Sequence, residues 1–143
     1  MTPPTASKRN VTGAPLSDAF CIRVLVADDQ RAMRLICRQL IASEPQMLVV
    51  GEASDGEEAV RSAGELAPDV IVLDLHMPKM SGIDAARRIR ESYPSIAIVG
   101  LSAGPHPDLA ELMRQAGAAV CVDKTREIAE LPRVIAQYGP RNN

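Results

Sequence analysis

Aromatic side chains make up only 2% of the 143 residues: two tyrosines, one phenylalanine and no tryptophan. A core built from this chain must be aliphatic, and a surface that reads single-stranded nucleic acid by stacking bases on rings is not expected. An excess of one charge is also missing. The 16 Lys and Arg stand against 18 Asp and Glu, a formal net charge of −2 with pI about 5.7, so the chain has no basic footprint for DNA or RNA. Cysteine is scarce and odd in number. Cys21, Cys37 and Cys121 show no CxxC spacing, which argues against a disulfide framework or a thiolate zinc site. They read as small apolar packing residues in a reducing cytoplasm. No apolar run approaches the ~20 residues of a membrane span, and residues 1–20 lack the apolar stretch of a secretory signal.

What is present is ordinary for one globular domain: 46% hydrophobic and 24% charged residues. Residues 1–20 mix Pro3, Pro4, Gly13 and Pro15 with Ser, Thr and Asn, and read as a disordered tail. From there apolar runs alternate with helical spacing. The runs 22–27, 48–51, 70–73, 96–101 and 118–122 are short and apolar nearly throughout, the pattern of strands buried on both faces. Helices are predicted over 30–43, 57–66, 83–92, 108–115 and from about 130. The first carries Met33, Ile36, Cys37, Leu40 and Ile41 on one face, with Arg31, Arg34 and Arg38 off it. Asp55 is placed to cap the second helix, Pro68 and Pro94 to stop the second and third, and Gly117 the fourth. Arg87, Arg88 and Arg90 read as a solvated helix face. Residues 140–143 are expected to fray. Five strand–helix units with short connections imply right-handed crossovers and a parallel sheet covered on both faces.

In such a sheet the strand ends share one edge, where ligands bind. Strand one ends in Asp28-Asp29, strand three in Asp74, strand four in Ser102, and strand five leads to Lys124. Crowded carboxylates repel unless a cation neutralises them, and hard oxygen donors suit Mg²⁺. A nucleophilic carboxylate, a divalent cation, a lysine arm and a hydroxyl together form a kit for phosphoryl transfer. Each part alone is usually a turn, a cap or surface charge; the joint placement carries the signal.

Val26-Ala27-Asp28-Asp29-Gln30, Val72-Leu73-Asp74-Leu75-His76-Met77-Pro78 with Gly82, Leu101-Ser102-Ala103, and Ala116-Gly117-Ala118 followed by Lys124 resemble the receiver domain of bacterial two-component response regulators. The resemblance covers about 22–137, with a receiver domain assigned to 21–139. It implies a flavodoxin-like doubly wound fold with strand order 2-1-3-4-5. It also implies roles: Asp74 as phospho-acceptor, Asp29 as direct Mg²⁺ ligand, Asp28 acting through water, and the His76 backbone carbonyl as a further ligand. Lys124 would pair with the phosphoryl oxygens, and Ser102 would hydrogen-bond the group and follow it inward. The implied partners are a sensor histidine kinase or histidine phosphotransfer protein, and a downstream protein or output domain. The latter would meet the face of helix four, strand five and helix five, around Leu109, Leu112 or Met113, and Cys121. Pairing of two copies on phosphorylation, a cytoplasmic setting and no direct nucleic-acid or membrane binding complete the expectation. The domain would not be an enzyme beyond its own phosphorylation and dephosphorylation.

Two positions depart from the family pattern. Cys121 stands where receivers often carry Tyr or Phe, and Thr125 follows Lys124 where many have proline. A redox role for Cys121 lacks a cationic neighbour in sequence. His76 and His106 are not assigned side-chain roles in catalysis or metal binding, although His76 lies beside the site and bears on the lifetime of the phosphoryl group. Two other functions share parts of this pattern. A haloacid-dehalogenase-type hydrolase needs a second Asp two residues after its nucleophile, where this chain has His76. A flavin carrier needs a Ser-, Thr- or Gly-rich phosphate loop after strand one, where it has Asp28-Asp29-Gln30.

Overall fold

The computed structural model describes residues 21–104 and 106–140. The expectations for a tail at 1–20 and for fraying at 141–143 lie outside the described residues. In chain order the elements are β1 (Ile22–Ala27), α1 (Arg31–Ala42), β2 (Met47–Ala53), α2 (Gly56–Leu66), β3 (Val70–Asp74) and α3 (Gly82–Ser92). There follow β4 (Ala97–Ser102), α4 (Pro107–Ala116), β5 (Val120–Asp123), a 3-10 turn (Ile128–Glu130) and α5 (Leu131–Tyr138). All strand pairs are parallel, in the order β2-β1-β3-β4-β5, so the chain is a flavodoxin-like α/β protein.

The strands are apolar on both faces because both faces are covered. Successive residues divide between two cores. Leu25, Ile71, Leu73 and Ile98 face α2, α3 and α4, where Ala59, Ala63, Ala85, Ala86 and Met113 meet them. Val24, Val26, Val70, Val72, Val99 and Val122 face α1 and α5, against Cys37, Ile41, Leu131 and Ile135. The alanines let helices approach the sheet closely, and among the described residues no aromatic ring is fully buried, in line with the composition.

Local signals behave as their chemistry predicts. Asp55 Oδ1 accepts from Glu58 N at 2.8 Å and caps α2. Ser81 caps α3 in the same way, its hydroxyl accepting from Asp84 N at 3.1 Å. Pro132 sits in the first turn of α5, where its missing N–H costs nothing. Gly82 is required by a close approach: a Cβ there would lie 1.8 Å from the Asp74 carbonyl oxygen. Gly117 ends α4 at φ +131, a conformation that favours glycine.

Two expectations are corrected. Helical spacing puts Ile36 on the buried face of α1, yet it is 40% exposed beside Leu35 at 53%. The helix buries only the stripe of Cys37 and Ile41, with Met33 and Leu40 half-buried, because it lies across β1 and β2 rather than over the middle of the sheet. The sequence leaves Leu112 and Met113 as alternatives for the outer face. Met113 is fully buried under β4, so Leu112, 41% exposed, carries that face. No helix among the described residues is long and apolar enough to cross a membrane.

Candidate functional site

The register lines up the carboxyl ends of the central strands: Ala27 opposite Leu73, Asp74 opposite Leu101, and Ser102 opposite Asp123. Residues separated by dozens of positions therefore open onto one edge. Carboxylate oxygens of Asp28, Asp29 and Asp74 all lie within 4.8 Å of one another. Asp28 is fully buried, Asp74 nearly so, and Asp29 is exposed. Lys124 Nζ reaches between two of them, 2.7 Å from Asp28 Oδ2 and 3.3 Å from Asp74 Oδ1, with its side chain only 8% exposed.

Three acids face one cation, and the imbalance shows in Asp74. Burial pushes its carboxyl up to about 6, helped by the negative charge of Asp28. Lys124 and the His76 backbone amide, 3.4 Å from Oδ1, oppose the shift. For Lys124, burial disfavours the charged form. Hydrogen bonding to Asp28 and the charges of Asp74 and Asp28 outweigh it, so its pKa is raised and the ammonium persists. Asp28 Oδ2 is buried and is paired with the Lys124 ammonium at 2.7 Å. Three carboxylates within 4.8 Å of one another, facing a single ammonium, leave negative charge that a hard cation with oxygen preference would neutralise, so the residues fit Mg²⁺.

The loops that hold these groups are tied down. Asp28 Oδ1 accepts from Gln30 N at 2.8 Å, and Asp28 N donates to the Ala53 carbonyl at 3.0 Å. Arg34 Nη1 donates to the Asp28 carbonyl at 2.7 Å, while its Nε donates to Glu52 Oε1 at 3.0 Å. The sequence pattern places Arg34 off the apolar face of α1 and gives it no partner. No local pattern betrays it, because its partners lie in a neighbouring loop and strand.

Lys124 is positioned by its neighbours. Its N–H donates to the Ser102 carbonyl at 2.8 Å. Asp123 Oδ1 accepts from Thr125 N at 2.8 Å, from Thr125 Oγ1 at 2.7 Å and from Arg126 N at 3.3 Å. The Thr125 hydroxyl and amide hold the Asp123 carboxyl below its usual range. Thr125 thus closes the turn through side-chain hydrogen bonds. The Asp-x-Thr spacing is a turn signal that sequence reading could have used.

Ser102 is buried, and its hydroxyl donates to the Gly104 carbonyl at 3.0 Å. The structure therefore brings Asp28, Asp29, Asp74 and Lys124 together, while the Ser102 hydroxyl is engaged by its own loop. The His76 and His106 side chains are exposed. Beside Ser102 a groove of 260 Å³ runs between the β4–α4 and β5–α5 loops, with Cys121 and Ala110 in its wall. Burial raises the Cys121 thiol's pKa against the weaker pull of Arg114, which keeps it protonated and suits a packing role better than a reactive one. Cys37, buried under α1, is pushed up to about 12. A larger cleft of 660 Å³, walled by Tyr93, Pro94 and Tyr138, lies at the opposite edge of the sheet and holds none of these site residues.

Comparison with known proteins gives a consistent result. The family model for the response regulator receiver domain matches residues 24–136. The response regulator GacA of Pseudomonas viridiflava is 36% identical over 114 residues, 80% of this chain and 53% of that protein. A protein-glutamate methylesterase/protein-glutamine glutaminase of Thermotoga maritima is 41% identical over 105 residues, 73% of this chain and 28% of that one. The chain thus spans about half or less of the length of these curated relatives. Among solved structures, the response regulator domain of Thermotoga maritima CheB superposes with a TM-score of 0.78 at 34% identity, covering 86% of this chain and 99% of that domain. CheY of Borrelia burgdorferi, solved in a CheX-CheY-BeF3-Mg complex, gives 0.75 at 28% identity, covering 93% and 97%. Sheet order, site geometry and relatives agree, and the chain belongs to the response regulator receiver domain family of two-component systems.

Proposed function

We propose that Asp74 accepts a phosphoryl group from a phosphohistidine on a sensor histidine kinase or histidine phosphotransfer protein, and that residues 21–139 form the unit that does so. The observation that carries this reading is the convergence of three carboxylates and one buried lysine at the carboxyl ends of β1, β3 and β5. A carboxylate oxygen of Asp74 attacks phosphorus, the phosphorus–nitrogen bond breaks, and the imidazole leaves with its electron pair. Asp28, Asp29 and the backbone carbonyl of His76 would hold Mg²⁺ with Asp74. The ion supplies charge neutralisation for the phosphoryl oxygens. Lys124 already touches Asp74 and is placed to pair with those oxygens as negative charge accumulates. Closing the new acyl phosphate against the Ser102 hydroxyl requires that hydroxyl to leave the Gly104 carbonyl, which couples chemistry to the β4–α4 loop.

The output surface in this reading is the face of α4, β5 and α5, with exposed Leu112 and half-buried Leu109 and Cys121 as its apolar patch. Phosphorylation-dependent pairing of two copies through that face belongs to the same reading, as does a cytoplasmic setting. The domain's own chemistry is limited to gaining and losing the phosphoryl group. A turnover hydrolase is the second reading, and His76, exposed two residues after Asp74, offers no carboxyl to act as its acid.

The test is incubation with Mg²⁺ and a small acyl-phosphate donor. One alkali-labile phosphoryl group per chain, mapped to Asp74 and lost when the metal is chelated, is expected. Steady multiple turnover of a phosphate monoester would favour the hydrolase. Acid-stable phosphate on Ser102 would show that the acceptor is wrong.

A further inference from the structure

Arg34 carries a role that the metal-site chemistry does not by itself assign. We propose that Arg34, anchored by Glu52, is a positioning residue that holds the Asp28–Asp29 peptide in the orientation needed to present both carboxylates to a divalent cation. This rests on the reading of the acidic cluster as an Mg²⁺ site.

The geometry is a fork. Nη1 of Arg34 donates to the Asp28 carbonyl at 2.7 Å, and Nε donates to Glu52 Oε1 at 3.0 Å. Arg38 Nη1 takes the other Glu52 oxygen at 2.5 Å, so Glu52 is held from both sides. The Asp28 N–H is meanwhile bonded to the Ala53 carbonyl, one residue beyond Glu52 on β2. The backbone of Asp28 is therefore fastened at its N–H directly to β2, and at its C=O to Arg34 of α1, which Glu52 ties to β2. The peptide fastened at that carbonyl is the one that links Asp28 to Asp29. Its rotation would swing Asp29, the exposed member of the cluster, away from oxygens that now lie within 4.8 Å. The Arg34 side chain is 17% exposed, so this is a largely desolvated contact rather than a surface pair. A planar guanidinium serves two acceptors in fixed directions at once; an ammonium on a flexible stem does not hold them in that relation.

Electrostatics alone predicts the opposite outcome, which makes the inference testable by sign. Arg34 is a cation close to a site for a cation, so removing its charge should tighten Mg²⁺ binding. If Arg34 positions the Asp28–Asp29 peptide, removing it should weaken binding. Mg²⁺ affinity would be measured by calorimetric titration of the unphosphorylated full chain, with folding followed by urea midpoint and the Asp29 amide followed by NMR. Arg34→Ala is expected to weaken Mg²⁺ about five- to tenfold and to move the Asp29 amide resonance. Arg34→Lys, which keeps charge and much of the fold's packing, is expected to weaken it by a similar factor. An affinity unchanged or tightened in Arg34→Ala overturns the proposal. So does native affinity in Arg34→Lys, the variant that decides should Arg34→Ala fail to fold. Asp29→Asn separates the two levels. If Asp29→Asn leaves Mg²⁺ affinity intact, the metal-site reading itself fails. If Asp29→Asn weakens it and the Arg34 variants do not, only the role of Arg34 falls.

Discussion

The two loops that border Asp74 are built differently. The β1–α1 loop is fastened outward: Asp28 is bonded to β2 through its N–H, to Arg34 through its carbonyl, and Arg34 to Glu52. The β4–α4 loop bonds to itself. Ser102 Oγ and the His106 N–H both donate to the Gly104 carbonyl, at 3.0 Å each, and His106 offers α4 no side-chain cap. A metal site works only if its ligands stay where they are. A signalling loop works only if it has a second arrangement within reach. In the proposed reading the difference puts chemistry on the β1 side of Asp74 and response on the β4 side, and experiments can break or sharpen that division.

The largest effect is expected at the residue both sides share. Asp74→Asn should abolish phosphorylation by a small donor while the chain still folds, read by intact mass and circular dichroism; retained phosphate would remove the centre from the comparison.

Next in size is the stability stored in that position. In metal-free protein the Asp74 carboxyl sits near 6 against an ordinary 3.8, so it holds its proton more tightly folded than unfolded. Its contribution is fully present below pH 3.8 and is lost as pH rises through about 6. Near neutral pH with chelator, Asp74→Asn should gain on the order of 2 kcal/mol in urea unfolding over the native chain. That gain should shrink as the pH is lowered toward 4. A loss of stability at neutral pH would mean that Lys124 compensates Asp74 fully, and that the acid side is not under charge strain.

A beryllofluoride adduct of Asp74 should then split the two loops directly. Amide exchange is expected to change about tenfold or more, some 1.4 kcal/mol of local opening, at Ala103 and from His106 to Leu112. Asp28 to Gln30 should change less. Equal changes on both sides, or changes confined to β5, would erase the proposed division.

The smallest effect concerns Cys121. The adjoining groove of 260 Å³ has room that a thiol does not fill. Cys121→Phe should bury some tens of Å² more apolar surface and add about 1 kcal/mol of stability at ~25 cal/mol per Å². It should also shift part of the exchange response from the β4–α4 loop toward β5. A destabilised variant would show that the groove cannot close on a ring, since Sγ already sits 2.8 Å from where a Cβ on Gly100 would be.

Much of this protein is legible without coordinates. Doubly apolar strands alternating with amphipathic helices determine a parallel sheet, because backbone pairing and two covered faces leave few other solutions. Strand ends then determine that Asp28, Asp29, Asp74, Ser102 and Lys124 share one edge. Local chemistry determines the cap at Asp55 and the stop at Gly117, since a cap is decided within one turn of chain. Helical spacing alone overestimated what α1 buries, because the width of a buried stripe depends on which strands the helix lies across. Tertiary structure alone decided that Met113 is core and Leu112 surface, and that the Ser102 hydroxyl turns to Gly104. It alone joined Arg34 to Asp28 and Glu52, 6 and 18 positions away in sequence. Hydrophobic periodicity reports which face of an element is dry; it carries no information about where a long polar side chain finds its partner once separate strands are brought side by side.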